Sequence, residues 1–404
     1  MFDRNTIKYL SEIETPFYYY NTNLLHETLF AIQEAADLFG YHLHYAIKAN
    51  ANPRILQIIS KHNLGADCVS GNEIKAAIEN GFDSNKIVFA GVGKTDKEIE
   101  YAIKQNIFCF NCESIQELEV INSIAQKYNT KQRVALRINP DINANTHKHI
   151  TTGLKTNKFG ISFYDFKTII KNINNYNNIT INGLHFHIGS QITDLSVFAK
   201  LCEIVNETYS YAISNNLTIN HINLGGGLGI NYNKPENHIP SFQAYFKIFN
   251  TNLNIPDRVQ IHFEPGRSIV GQCGCLITKV LYVKENDERK TIIVDAGLTE
   301  LLRPALYQSF HKIINLRYSK NEENCRYDIA GPICETSDYF GKSVSLPETE
   351  RGHFLAIYSV GAYGEVMSSQ YNLRNPALKY FSDDLIEKDT QLENEAVSKI
   401  CSFS

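Results

Sequence analysis

The chain has 404 residues, 43% hydrophobic and 11% aromatic, which is enough for two domains with full cores. Its formal charge of −4, from 39 Lys and Arg scattered among 43 Asp and Glu, leaves no basic surface for nucleic acid or anionic lipid. Nine cysteines, an odd count without small-scaffold spacing, argue against a disulfide framework and for free thiols in a reducing compartment.

The N-terminal stretch MFDRNTIKYLSEIETPF lacks the basic-then-apolar order of a secretion signal, and no long uncharged apolar run occurs, so a cytoplasmic chain off the membrane is expected. TPFYYYN then reads as a strand, and residues 22–39, TNLLHETLFAIQEAADLF, as a helix. From there short β-branched or aromatic runs recur at 41–48, 64–68, 86–90, 107–110, 133–138, 181–187, 220–224 and 258–263. Segments of helical period lie between them, among them NPRILQIISKHN, GNEIKAAIENG, TDKEIEYAIKQN and ESIQELEVINSIAQKY. Strands alternating with helices pair in parallel, and eight of them predict a closed (β/α)8 barrel rather than an open sheet.

Past residue 265 the pattern turns β-rich, with RSIVGQCGCLITKVLYVK, RKTIIVDAG, RYDIAGPIC and HFLAIYSVGAYG. The expected fold class is thus α/β: a barrel over 22–264, and a mainly β domain from 1–21 plus 265–404 that the first strand joins. CFNC, Cys109 to Cys112, has C-x-x-C spacing but neither a second pair nor a thioredoxin-like start, so neither metal nor redox use is expected.

Chemistry in such a barrel sits at the C-terminal ends of the strands. Reading that rim gives Lys48 after the first run, Asp67 at the second, Arg137 at the fifth and His187 with Ser190 at the sixth. Gly225, Gly226 and Gly227 follow the seventh, and Glu264 follows the eighth. Singly, each has a bland reading. A strand-end lysine is usually a solvated tip. His185 and His187 could be a hydrogen-bonded core pair or an H-x-H metal pair, and LGGGLGI could be only a turn, since Ile230 breaks G-x-G-x-x-G. Together they fit pyridoxal phosphate: an amine for a Schiff base, glycine N–H groups open to a phosphate, and a carboxylate for the pyridine nitrogen.

The motifs YAIKAN, GADCVSGNE, THKHITTGLKTNKFG, GLHFHIGSQ, NLGGGLGINY, FEPGRSIVG, DAGLTELLRPALY, GPICETSD and GAYGEVMSSQYNLR follow one another in colinear order within a match that runs from Thr15 to Arg374. That series resembles the diaminopimelate decarboxylases, fold type III pyridoxal phosphate enzymes of the alanine racemase-like group. The resemblance implies that Lys48 holds the cofactor, His187 lies against its ring and Glu264 keeps its nitrogen protonated. It implies Ser190, Gly225, Gly226, Gly227, Gly266 and Arg267 around the phosphate, with Tyr363 closing that side and Asp67 and Arg137 orienting the ring. Arg303 and Tyr307 would hold the substrate's distal carboxylate, Glu335 its distal ammonium, and Arg267 and Tyr363 would border it. Cys334 would return a proton to Cα.

A glutamate rather than an arginine at the ring nitrogen separates decarboxylases from racemases in this group. The expected reaction is therefore decarboxylation of meso-2,6-diaminopimelate to L-lysine, by a homodimer in which the Cys334 loop serves the partner's site. Decarboxylases of carboxynorspermidine, ornithine or arginine share the barrel motifs and stay open as alternatives. A non-catalytic regulator would be expected to have lost Lys48 or Cys334. A metallohydrolase would need a further histidine beside His185, His187 and Asp67.

Overall fold

The computed structural model describes residues 2–140, 158–237, 240–286, 289–317 and 324–384. The THKHITTGLKTNKFG motif up to residue 157, and residues 385–404, lie outside them. The chain forms two compact units, one of Thr28–Ile230 with Ile239–Ile269, the other of Met1–Glu27, Asn231–His238 and Val270–Ser404.

After β1 (Phe17–Tyr20), which belongs to the second unit, eight parallel strands close a barrel. They are β2 (His42–Ala46), β3 (Gly65–Cys68), β4 (Ile87–Phe89), β5 (Cys109–Cys112), β6 (Gln132–Arg137), β7 (Ile179–His185), β8 (His221–Asn223) and β9 (Gln260–Phe263). β9 pairs back onto β2 through His42–His262 and Leu43–Phe263, which removes both sheet edges.

The helices between are written into the sequence by their ends. Asn52 caps Pro53–Lys61, Thr95 and Glu98 form a capping box on Asp96–Lys104, and Ser114 caps Ile115–Lys127. Four helices leave through an asparagine in the left-handed region: Asn63, Asn106, Asn129 and Asn216, with φ of 60°, 51°, 51° and 64°. Asparagine tolerates that conformation better than other side chains with a Cβ, so these residues stop the helix and turn the chain toward the next strand.

The N-terminal end of the barrel is filled by aromatic rings. His44 Nδ1 donates to the Lys86 carbonyl at 2.9 Å and its Nε2 meets His262 Nδ1 at 2.7 Å, while Phe108 stacks on His262 at 5.4 Å. His221 completes the layer, 5.5 Å from His262.

In the second unit β1 pairs antiparallel with β10 (Gly274–Glu285), as expected of the first strand, and parallel with β16 (Leu378–Phe381). β11 (Lys290–Val294), β12 (Ile313–Asn315), β13 (Asn324–Ala330), β14 (Tyr339–Pro347) and β15 (Phe354–Ile357) extend the sheet in the order β12-β15-β10-β11-β13-β14. Phe17 and Tyr19 pack with Cys275, Ile277 and Ala356, and Leu10 from a short helix, Arg4–Leu10, that the sequence reading passed over. Among the described residues no helix is long and apolar enough to cross a membrane. Cys109 and Cys112 lie three apart in one strand and therefore point to opposite faces, a geometry that cannot chelate a metal or close a bridge.

Candidate active site

The run expected to end at residue 48 stops as a strand at Ala46, and Lys48 stands in a single 3-10 turn, Ile47–Ala49, at the C-terminal rim. Lys48 Nζ meets Asp67 Oδ2 at 2.5 Å, with the lysine side chain about one-third exposed and the carboxylate fully buried. Burial, then the nearby Glu264 charge, push the Asp67 carboxyl up, and Lys48 opposes them. Asp67 Oδ1 is buried with no hydrogen-bond partner among the described residues.

Glu264 follows β9 and is 5% exposed. Its Oε1 accepts from Asn111 Nδ2 at 3.2 Å and Asn223 Nδ2 at 2.7 Å, and its Oε2 accepts from His185 Nε2 at 3.2 Å. Burial alone would raise this carboxyl, but the His185 charge and hydrogen bond, with Lys48 behind them, outweigh it and hold Glu264 well below the usual range. Three donors favour the ionised form. His185, which could have been a core residue or a metal ligand, here orients a carboxylate.

His187 lies two residues beyond the end of β7, and Gly226 N–H donates to its Nδ1 at 3.2 Å. Burial, then the charges of Arg137 and Lys48, hold its imidazole well below the ordinary value, so the ring is neutral. Arg137 ends β6 and bonds Glu113 Oε1 at 2.7 Å, and Glu113 also accepts from the amides of Gly91 and Gly160 at 3.0 and 3.1 Å.

The triple glycine needs its lack of side chain. A Cβ on Gly226 would lie 2.2 Å from the Glu264 carbonyl oxygen and one on Gly225 2.4 Å from that of Phe186, while Gly227 sits at φ 110°. Backbone bonds Glu264 N to Gly225 O at 2.8 Å and Ala46 N to Pro265 O at 3.0 Å tie the rim loops together. Arg267 Nη2 donates to Ser190 Oγ at 3.1 Å, and Arg267 directly follows Gly266 in sequence. A reachable primary amine, an anchored anionic carboxylate, a neutral imidazole, an orphaned buried carboxylate oxygen and a glycine turn with a guanidinium and a hydroxyl form a donor set that fits a phosphorylated pyridine aldehyde.

The second unit carries the remaining predicted residues. Cys334 and Glu335 are exposed on the loop between β13 and β14. Asp338 shapes that loop by accepting from the amides of Leu298 at 2.6 Å and Ile333 at 2.8 Å. Cys334 Sγ lies 3.4 Å from Asn372 Oδ1, and Tyr371 Oη donates to Glu335 Oε1 at 2.7 Å. Hydrogen bonds to Glu335 and then Cys334 raise the Tyr371 phenol to about 12. Tyr363 is half-buried and adopts φ 58°, a left-handed backbone rare for an aromatic residue. Arg303 and Tyr307 bound one short helix, with Arg303 buried against Tyr232 and His311. Asn111, Asn223, Glu113, Tyr371, Asn372, Tyr232 and His311 went unnoticed in the sequence as contributors.

A closed parallel barrel with an amine and a pinned carboxylate on its rim, joined to a β unit, defines a class. Residues 26–271 match the family model described as the pyridoxal binding domain of pyridoxal-dependent decarboxylases. Within that class, the chain is 51% identical to the diaminopimelate decarboxylase of Bacteroides thetaiotaomicron, covering 93% of this chain and 97% of the relative. It is 41% identical to that of Aquifex aeolicus, over 89% of this chain and 84% of the relative. The crystal structure of the Helicobacter pylori diaminopimelate decarboxylase complexed with L-lysine superposes with a TM-score of 0.88 at 37% identity, covering 96% of this chain and 99% of that one. The chain belongs to the diaminopimelate decarboxylase family of pyridoxal-dependent decarboxylases.

Proposed function

We propose that the chain decarboxylates meso-2,6-diaminopimelate, releasing CO2 and L-lysine, with pyridoxal phosphate as cofactor. The observation that carries this reading is the barrel rim itself, where the Lys48 amine and the triply bonded Glu264 carboxylate stand in a chain about half identical to a diaminopimelate decarboxylase.

When bound, pyridoxal phosphate supplies a protonated pyridine that draws in the electron pair of the breaking bond between Cα and the carboxylate. Lys48 provides the amine that holds the cofactor's aldehyde carbon. Glu264, fixed by Asn111, Asn223 and His185, would hold the proton on the ring nitrogen, and His187 would adjoin the ring without adding a competing charge. Asp67 and Arg137 orient it. Ser190, Gly225, Gly226, Gly227, Gly266 and Arg267 would receive the phosphate, and Tyr363 is assigned to closing that side. Of the substrate, Arg303 and Tyr307 take the distal carboxylate and Glu335 the distal ammonium, while Arg267 and Tyr363 border it. Once CO2 has left, the Cys334 thiol gives its proton to Cα.

The barrel over 22–264 is read as the cofactor-binding domain. The working unit is read as a two-fold homodimer in which the Cys334 and Glu335 loop serves the partner's site. Support comes from the exposed patch around that loop, where Tyr371 is 46% and Leu373 96% exposed beside two residues given chemical work. A cytoplasmic location agrees with the eight described cysteines, all of them free thiols. Purified protein offered meso-diaminopimelate, ornithine, arginine and carboxynorspermidine in parallel should release CO2 fastest from the first. Faster release from any of the others would replace the substrate assigned here.

A further inference from the structure

Arg303 is 4% exposed, and burying a guanidinium is costly unless hydrogen bonds offset the lost water. Its Nη1 donates to Tyr232 Oη at 2.8 Å and to His311 Nε2 at 3.0 Å, and its Cζ lies 5.0 Å from the centre of the Tyr232 ring. A guanidinium can only donate, so His311 Nε2 carries a lone pair. The ring proton is therefore on Nδ1, which donates to the Tyr358 carbonyl at 2.8 Å. Tyr232 and His311 meet edge to face, 5.0 Å apart at 77°. All four residues belong to one compact unit, although they come from separate stretches of sequence.

The choice of partners has a consequence. A carboxylate against Nη1 would hold the side chain equally well, but would cancel the charge that a substrate carboxylate needs. A phenol and a neutral imidazole fix the plane of the guanidinium and bring no negative charge of their own to it. We infer that His311 and Tyr232 are positioning residues that set selectivity for a distal carboxylate by fixing Arg303. The inference rests on the reading that Arg303 receives that carboxylate.

The test compares ligands with and without the group. Diaminopimelate is the substrate, L-lysine keeps one carboxylate, and 1,5-diaminopentane has none. In His311→Ala the KM for diaminopimelate and the inhibition constant of L-lysine should rise about tenfold or more, the scale of a lost hydrogen bond to a charged group, while inhibition by 1,5-diaminopentane stays within about twofold. His311→Gln, which can again present an acceptor to Arg303, should recover most of the loss. Unchanged L-lysine inhibition, or equal weakening of both amines, overturns the inference.

Arg303→Ala is measured alongside. If it too spares diaminopimelate and L-lysine, the assignment of Arg303 falls. If it weakens them and His311→Ala does not, only the positioning role falls. Should His311→Ala fail to fold, Tyr232→Phe keeps the ring and removes the acceptor. The same selective rise is expected there, and its absence overturns the inference.

Discussion

Replacing Glu264 by glutamine changes one charge and almost no volume. The amide oxygen can still accept from Asn111 and Asn223, and the new N–H2 faces His185, whose buried Nδ1 has no hydrogen-bond partner among the described residues and can carry the ring proton when Nε2 accepts. The fold should therefore persist. At an effective dielectric near 20, opposite charges about 4 Å apart attract by about 4 kcal/mol. Removing one preorganised electrostatic partner of a reacting centre costs about 3–4 kcal/mol by analogy with other enzymes. Glu264 is buried and therefore little screened, yet shares its charge with three donors, which places it inside that range. Glu264→Gln should then lower kcat by roughly two to three powers of ten. The assay is CO2 release at saturating diaminopimelate, with cofactor loading measured separately by absorbance. A fully loaded variant that turns over within about threefold of the parent would refute the reasoning, because the anion would then contribute nothing to the reaction.

Lys48→Ala should abolish turnover and the borohydride-fixable link to the cofactor while keeping the parent's circular dichroism; retained activity would end the reading of Lys48. The buried imidazole layer predicts acid sensitivity. Burial lowers His44 from 6.5 to about 4, so the unfolded chain takes up the proton first, and stability that is full above 6.5 is lost as pH falls toward 4. That single group accounts for up to about 3 kcal/mol, so urea midpoints of the parent should fall between about pH 7 and 4.5 more steeply than those of His44→Gln, and parallel curves would contradict it. Inactive Lys48→Ala and Cys334→Ala chains, mixed and allowed to exchange subunits, should regain about a quarter of parental activity per site, since half the dimers are mixed and each has one intact site. No recovery despite proven exchange would mean that each chain supplies its own cysteine.

The barrel was legible because its periodicities are strong and its helix ends carry capping residues and asparagines. The rim rule located Lys48, Asp67, Arg137, His187 and Glu264. It failed where run boundaries were short by a residue or two. The fourth run was read to end at residue 110, whereas β5 continues to Cys112, so Asn111 was not counted among the rim residues. Asn223 was hidden differently, as a polar residue inside a run read for its apolar members. Its role depends on Glu264, 41 positions away, and no local pattern encodes that pairing. His311 and Tyr232 are harder still, because their meaning comes from which nitrogen of Arg303 they touch.

Two buried carboxylates share the rim and are driven in opposite directions, and the difference lies in their donors rather than in their depth. Glu264 has three hydrogen-bond donors, two of them neutral amides that stay in place whatever happens to the reacting groups. Asp67 is hydrogen-bonded at Oδ2 to the Lys48 amine and has an oxygen with no described partner. In the proposed mechanism its charge is therefore tied to the one side chain that would form and release a bond during each turnover. A permanent anion belongs where a proton must be held throughout the cycle, and a carboxyl able to change state belongs beside the amine. On the proposed reading Arg303 follows the same logic with the sign reversed: a phenol and an imidazole hold a permanent cation that would meet the substrate's carboxylate. In the proposed site, hydrogen-bond partners that take no part in the reaction hold Glu264 and Arg303, and this separates the residues that hold a charge in place from those that exchange one.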